Sequence, residues 1–190
     1  MARRKDHSRE ELKQLAIQAG RQIVIEQGPS ALTARKVAQA IGYTPGTLYN
    51  VFENIDGLIA AINIESMHSF ADSLRTLHQP GETSESRIRR IAQAYLDFHH
   101  AEPQLWSLLF AQPLNYNSDD YHAAIHAIFD QVCDAMIPLS SSPTLARQKA
   151  KILWSTLHGI CLLQQSGKLN VSEPDPAEDL LTHFLDQFLQ

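Results

Sequence analysis

Residues 33–52 read TARKVAQAIGYTPGTLYNVF, and this stretch decides the fold. Thr33 can offer its hydroxyl to an orphan amide of the helix that follows, in which Val37, Ala38 and Ile41 recur at helical spacing. Gly42 ends that helix, because a sharp exit needs left-handed backbone. Thr44 then recaps the chain, and Pro45 stands where a missing amide hydrogen costs nothing. The second helix therefore begins at Pro45. Leu48, Val51 and Phe52 form its apolar side, and Thr47, Tyr49 and Asn50 point elsewhere. Two short helices joined this way form a helix-turn-helix, whose second helix is narrow enough to enter the major groove of B-form DNA.

Working outward, the order Leu32-Thr33, Val37-Ala38, Ile41-Gly42, Thr44, Gly46-Thr47-Leu48-Tyr49 and Phe52, closing on Leu58, resembles the DNA-binding domain of the tetracycline-repressor-like (TetR) family. The resemblance covers about the first sixty residues, with apolar, cap, glycine and aromatic positions agreeing over one continuous span. At one position the chain departs. Family members usually carry a lysine just after the cap of the next helix, where it can meet a DNA phosphate; here Asn54 caps and Ile55 follows.

At 190 residues the chain can bury a real core, and one DNA-reading unit plus one larger domain fits the usual domain sizes. We place a helix-turn-helix DNA-binding domain at residues 1–57 and a helical ligand-binding and dimerisation domain at 58–190. No apolar run approaches the roughly 18 residues of a membrane span. The start, MARRKDHSREE, is too charged for a secretory signal, so cytoplasmic residence is expected. Cys133 and Cys161 lie in apolar helical surroundings and read as buried reduced thiols.

The net charge of −5 is unexpected for a partner of a polyanion, and its distribution resolves the difficulty. Residues 1–60 hold eight Lys and Arg against six Asp and Glu, while the rest holds eight against fifteen. The basic excess coincides with the helix-turn-helix, but it is small enough that tight nonspecific binding is not expected. Arg3, Arg4 and Lys5 make a basic arm that either lies along phosphates or is simply a solvated terminus.

The remaining chain reads as helix throughout, giving an all-α fold of about nine helices. Ser8 and Glu11 form a capping box for the first helix, which ends near Gly28. A long helix from Asn54 to Pro80-Gly81 passes from the DNA-reading unit into the second domain and is the natural lever between them. GETSES feeds a helix with Ile88, Ile91, Ala92, Tyr95, Leu96 and His99 on one face. Pro103 starts QLWSLLFA, which should be buried on most sides. Helices follow from Ser118 to about Ile137 and from about 143 to 166. AEDLLTHFLDQFLQ closes the chain with Leu180, Leu181, Phe184, Leu185, Phe188 and Leu189 exposed on one wide stripe.

Such a stripe must be covered, and a symmetry mate is one way to cover it; packing within the chain is the other. We assign a homodimer contact to the last two helices through Trp154, His158, Leu162, Leu181, Phe184 and Phe188, with Gly159 allowing close helix approach. The family resemblance implies the same dimer, and the W-x-x-x-H-G pattern at Trp154, His158 and Gly159 is similar to the carboxy-terminal domains of one TetR subgroup. Two reading helices about one duplex turn apart suit a palindromic double-stranded operator. The DNA-binding residues are then Arg35, Thr44, Pro45, Thr47, Tyr49 and Asn50: Thr44 and Tyr49 to phosphates, Asn50 to a base edge, most naturally adenine. For Tyr49, helix packing is the competing role.

The resemblance also implies a pocket for a small inducer. Aromatic positions on helical faces supply candidates, namely Phe70, Tyr95, Phe98, Trp106, Phe110, Phe129 and Trp154, and they suit an apolar or aromatic ligand. Aromatics at helical spacing are equally the stuff of cores. His122 and His126 lie four apart, a spacing compatible with zinc, and His99-His100 lie near another helix end. No Cys or carboxylate cluster completes a site, so these read as surface histidines, with no metal and no cofactor. No nucleophile, base and oxyanion donor occur together, and an enzyme is not expected. Two functions from different classes stand at this point: a homodimeric regulator, most simply a repressor, released from its operator by ligand, and a helical small-molecule binding protein whose DNA binding is weak or vestigial. Activation in place of repression is not distinguished by the residues.

Overall fold

The structure, a computed structural model, describes residues 7–111, 118–171 and 173–190; the arm residues Arg3, Arg4 and Lys5 lie outside them. Nine α-helices and no strand are present among the described residues: α1 (Arg9–Gln27), α2 (Ala34–Ile41), α3 (Pro45–Phe52), α4 (Ile55–Leu77), α5 (Ser84–Ala101), α6 (Pro103–Phe110), α7 (Asp119–Met136), α8 (Pro143–Gln165) and α9 (Ala177–Phe188).

Most starts are set by side-chain caps. Ser8 accepts from the Glu11 amide while the Glu11 carboxylate accepts from the Ser8 amide at 2.8 Å, closing the capping box of α1. Those hydrogen bonds hold the Glu11 carboxyl below its ordinary range. Thr33, Thr44, Thr83 and Ser142 cap α2, α3, α5 and α8 more simply, each hydroxyl accepting from the amide three residues on. Asn54 caps α4, its Oδ1 accepting from the Gly57 amide at 2.9 Å, and Ser118 caps α7 through the Tyr121 amide. Two single 3-10 turns, Pro29–Ala31 and Ile137–Leu139, have no counterpart in the sequence reading. In each a proline without an amide hydrogen sits where the chain turns out of a helix.

The described residues divide into two compact units. The first takes the chain through Ser66 together with Gln104–His122, so the helix-turn-helix shares its unit with α6. Its core gathers Ala16, Ile17, Ile23 and Val24 of α1, Val37 and Ala38 of α2, Leu48 and Phe52 of α3, Leu58 and Ile62 of α4, and Leu105 and Leu108 of α6. Gly20 lets α1 and α4 approach closely: a Cβ there would stand 2.6 Å from the Ile62 side chain. The second unit takes Met67–Pro103 and Ala123–Gln190, and buries Phe70 and Leu74, Ile88, Ile91 and Leu96, Met136, and Leu153, Leu157 and Cys161. Burial pushes the Cys161 thiol up to about 12, which keeps it protonated and unreactive.

Three sequence expectations need correction. The stripe on α9 is not left exposed as a whole: Leu181 and Leu185 are buried within the second unit, where α9 meets α5 and α8, and only Leu180, Phe184, Phe188 and Leu189 remain half-buried. His99 is a core residue rather than a surface one, because it continues the inward face of Ile88, Ile91, Ala92 and Leu96. Phe110 emerges at the last residue of α6 and is 41% exposed, while Leu105, Trp106 and Leu108 are buried as the apolar run predicts. No helix among the described residues is long and apolar enough to cross a membrane.

Candidate nucleic-acid interface

The turn between α2 and α3 is built from backbone chemistry. Gly42 adopts φ 77 and ψ 27, and the Tyr43 amide folds back to the Ala38 carbonyl at 2.8 Å. Thr44 follows in extended backbone, its hydroxyl accepting from the Thr47 amide and meeting the Thr47 hydroxyl at 3.0 Å. His7 and Tyr43 share a 2.8 Å hydrogen bond that ties the start of α1 to the turn.

With Leu48 and Phe52 buried, α3 is fixed in rotation; Gly46, Tyr49 and Asn50 are exposed away from that face, and Pro45 is exposed as the first residue of the helix. Tyr49 is 46% exposed. Arg35 stands exposed on the first turn of α2, beside Lys36, whose ammonium donates to Gln27. The six residues named from sequence therefore lie on the solvent side of one two-helix element, with Thr47 half-buried and Thr44 engaged as the cap. Sequence reasoning missed Glu53, a non-glycine residue at φ 65 that turns the chain from α3 into α4. Ile55, in place of the usual lysine, is half-buried and packs on the core of this unit.

The aromatic candidates fall into separate groups. In the second unit Phe70 stacks on Phe98 with centroids 5.3 Å apart and meets Tyr95 edge-on at 6.1 Å. The Tyr95 hydroxyl lies 3.4 Å from Nδ1 of His158, which stacks on Trp154 at 6.0 Å. Burial lowers the His158 imidazole below its usual range, favouring the neutral ring. Phe129 is half-buried on α7. Trp106 and Phe110 pair with each other in the first unit, centroids 5.1 Å apart.

Along α8, Ile152, Trp154, Leu162 and Leu163 are between 44% and 50% exposed, and a Cβ at Gly159 would meet nothing within 4 Å. This is an exposed apolar surface in which a glycine leaves the backbone uncovered. His122 and His126 are exposed on α7, and no group of three or more potential metal ligands occurs among the described residues.

Residues 16–62 match the bacterial regulatory proteins of the tetR family, and residues 88–188, more than half the chain, match the tetracyclin repressor-like C-terminal domain. The chain belongs to the TetR family. It is a DNA-binding transcriptional regulator and not an enzyme. An HTH-type transcriptional regulator of Mycobacterium tuberculosis is 24% identical over 149 residues, 78% of this chain and 68% of the relative. A protein of unknown function from Rhodococcus sp. RHA1 superposes over 100% of this chain and 97% of its own with a TM-score of 0.77 at 19% identity. A single-residue variant of TetR from Acinetobacter baumannii AYE, solved in complex with minocycline, superposes over 92% of each chain with a TM-score of 0.69 at 17% identity. At these identities the structural likeness establishes the fold alone.

Proposed function

We propose that this TetR-family regulator is a homodimeric repressor that holds a palindromic operator and is released by a small apolar or aromatic ligand. In this reading residues 1–57 are the DNA-reading domain and 58–190 the ligand-binding and dimerisation domain. The observation that carries it is the outward face of α3: Tyr49 and Asn50 stand exposed on a capped helix whose rotation is fixed by buried Leu48 and Phe52. Asn50 has the paired donor and acceptor that recognise an adenine edge, while Tyr49, Thr44, Thr47, Pro45 and Arg35 would meet the backbone around it.

Dimerisation is supported by the exposed apolar surface of α8 and by the open space at Gly159, where no side chain would hold a second helix away. In that contact Trp154, His158, Leu162, Phe184 and Phe188 would meet their copies, while buried Leu181 supports the helix from behind. Trp154, His158 and Gly159 also carry the W-x-x-x-H-G subgroup assignment. For the ligand, the Phe70, Phe98 and Tyr95 cluster is the aromatic lining of the second unit, and binding there would favour one of two arrangements of α4.

Gel-shift assays on DNA flanking the protein's own gene, at about 50 and 200 mM salt, test the reading. A shifted band that weakens with salt and with Asn50→Ala is expected. Absence of a shift at low salt would refute it and leave the second reading, a helical small-molecule binder with vestigial DNA binding. That alternative draws on one observation, the half-buried Ile55 standing where a phosphate-binding lysine is usual.

A further inference from the structure

Phosphate donors close to the reading helix are few. The Lys36 ammonium is given to Gln27 at 2.8 Å, the Thr44 and Thr47 hydroxyls bond to each other at 3.0 Å, and half-buried Ile55 has no donor to offer. With eight Lys and Arg against six Asp and Glu over residues 1–60, bulk charge adds little. A helix about 10–12 Å across fills a major groove about 12 Å wide, so groups beside the first turn of α3 meet the phosphate walls. One such group comes from outside the helix-turn-helix.

It is His7, the residue before the Ser8 cap of α1. Helix α1 packs on α2 and α3 through their shared core, and its start reaches the turn between them. There the His7 Nδ1 lies 2.8 Å from the Tyr43 hydroxyl, with ring centroids 6.0 Å apart. Tyr43 is itself held, because its amide donates to the Ala38 carbonyl, and the residue after it is Thr44, the exposed cap of α3. Both members of the pair are half-buried, so the ring is ordered and still reached by solvent. With the phenol donating to Nδ1, the neutral imidazole carries its proton on Nε2, across the ring from Tyr43. No other described residue accepts from that Nε2. Glu11 is the acid in electrostatic reach of His7, and its carboxylate accepts from the Ser8 amide at 2.8 Å, which holds it to the cap.

We propose that His7 is a DNA-backbone contact, its Nε2–H donating to a phosphate beside the first turn of α3, and that Tyr43 is the positioning residue that sets its tautomer and aim. This contact rests on the exposed face of α3 being turned to DNA, as read above, and adds a donor from α1 that the helix-turn-helix does not supply. A phosphate contact fixes register and orientation and reads no bases, so it strengthens binding to every sequence alike.

Fluorescence anisotropy at about 50 mM salt, with the full chain on the duplex flanking its own gene and on a shuffled duplex of the same length, tests the contact. His7→Ala should weaken both by the same factor, roughly fivefold to tenfold for one lost hydrogen bond to a charged acceptor. His7→Lys, which restores a donor, should recover the loss on both. Tyr43→Phe should cost roughly threefold in the parent and nothing further in the His7→Ala background, since it acts only through the ring. Melting curves identify any variant that has lost its fold. Parent-like binding by His7→Ala, a loss confined to one duplex, or His7→Lys no tighter than His7→Ala would each overturn the contact, and equal losses from Tyr43→Phe in both backgrounds would overturn the positioning role. An unaltered protein that binds neither duplex would overturn the operator reading together with this contact, whereas one that binds both and ignores His7→Ala loses the contact alone.

Discussion

Gly42 and Gly46 sit four residues apart in the turn and reading helix, and alanine should act on them in opposite directions. Gly42 is at φ 77, and a Cβ there would touch nothing within 4 Å. The whole cost of Gly42→Ala is thus backbone strain, about 1–2 kcal/mol for an L-residue forced into left-handed geometry. Gly42→Asn should lose less, because asparagine tolerates that region. At Gly46, inside α3, the nearest atom to an added Cβ is the Thr44 hydroxyl at 3.9 Å. Gly46→Ala therefore meets no clash and gains helix propensity, about 0.5 kcal/mol in the first turn. For a chain of this length each kcal/mol moves the melting temperature by about 2–4 °C. Differential scanning calorimetry should place Gly42→Ala below, Gly42→Asn between, and Gly46→Ala slightly above the parent. Because Gly46 is on the exposed face of α3, the same added methyl should weaken the gel shift as it raises the melting point. The reasoning fails if Gly42→Ala is as stable as the parent, or if Gly46→Ala destabilises.

Asn50→Ala should cost about 1–3 kcal/mol in operator affinity and relax specificity at one base position, with no change in melting temperature; an equal loss on every DNA sequence would show a phosphate contact instead. Leu162→Glu places a charge on the exposed surface of α8, so the melting curve should change little while sedimentation shifts to single chains; dimers that persist would exclude this surface. His99 is held below its ordinary pKa, first by burial and then by neighbouring His100. The unfolded chain takes up the proton more readily, so stability is full above about pH 6.5 and falls as the pH drops through the lowered folded value. In urea titrations His99→Gln should flatten the decline between about pH 7 and pH 5, and an unchanged slope would assign the proton uptake elsewhere.

Caps and turns were legible in the chain because they are local: Thr33, Gly42, Thr44 and Asn54 act on amides within four residues, and each does in the structure what its type and place imply. The outward side of α3 was equally readable, since burying Leu48 and Phe52 leaves only one side for Tyr49 and Asn50. What a helix face packs against is not local. Periodicity marked the stripe on α9 but could not divide it into Leu181 and Leu185, buried within the second unit, and Phe184 and Phe188, which stay half-buried. Nor could it tell that His99 is core, that Ile55 joins the hydrophobic cluster, or that Asn63 lies buried against a carbonyl 45 residues away. Hydrogen bonds to near neighbours are set by residue type and spacing, whereas burial depends on which distant segment arrives, and only the folded chain specifies that.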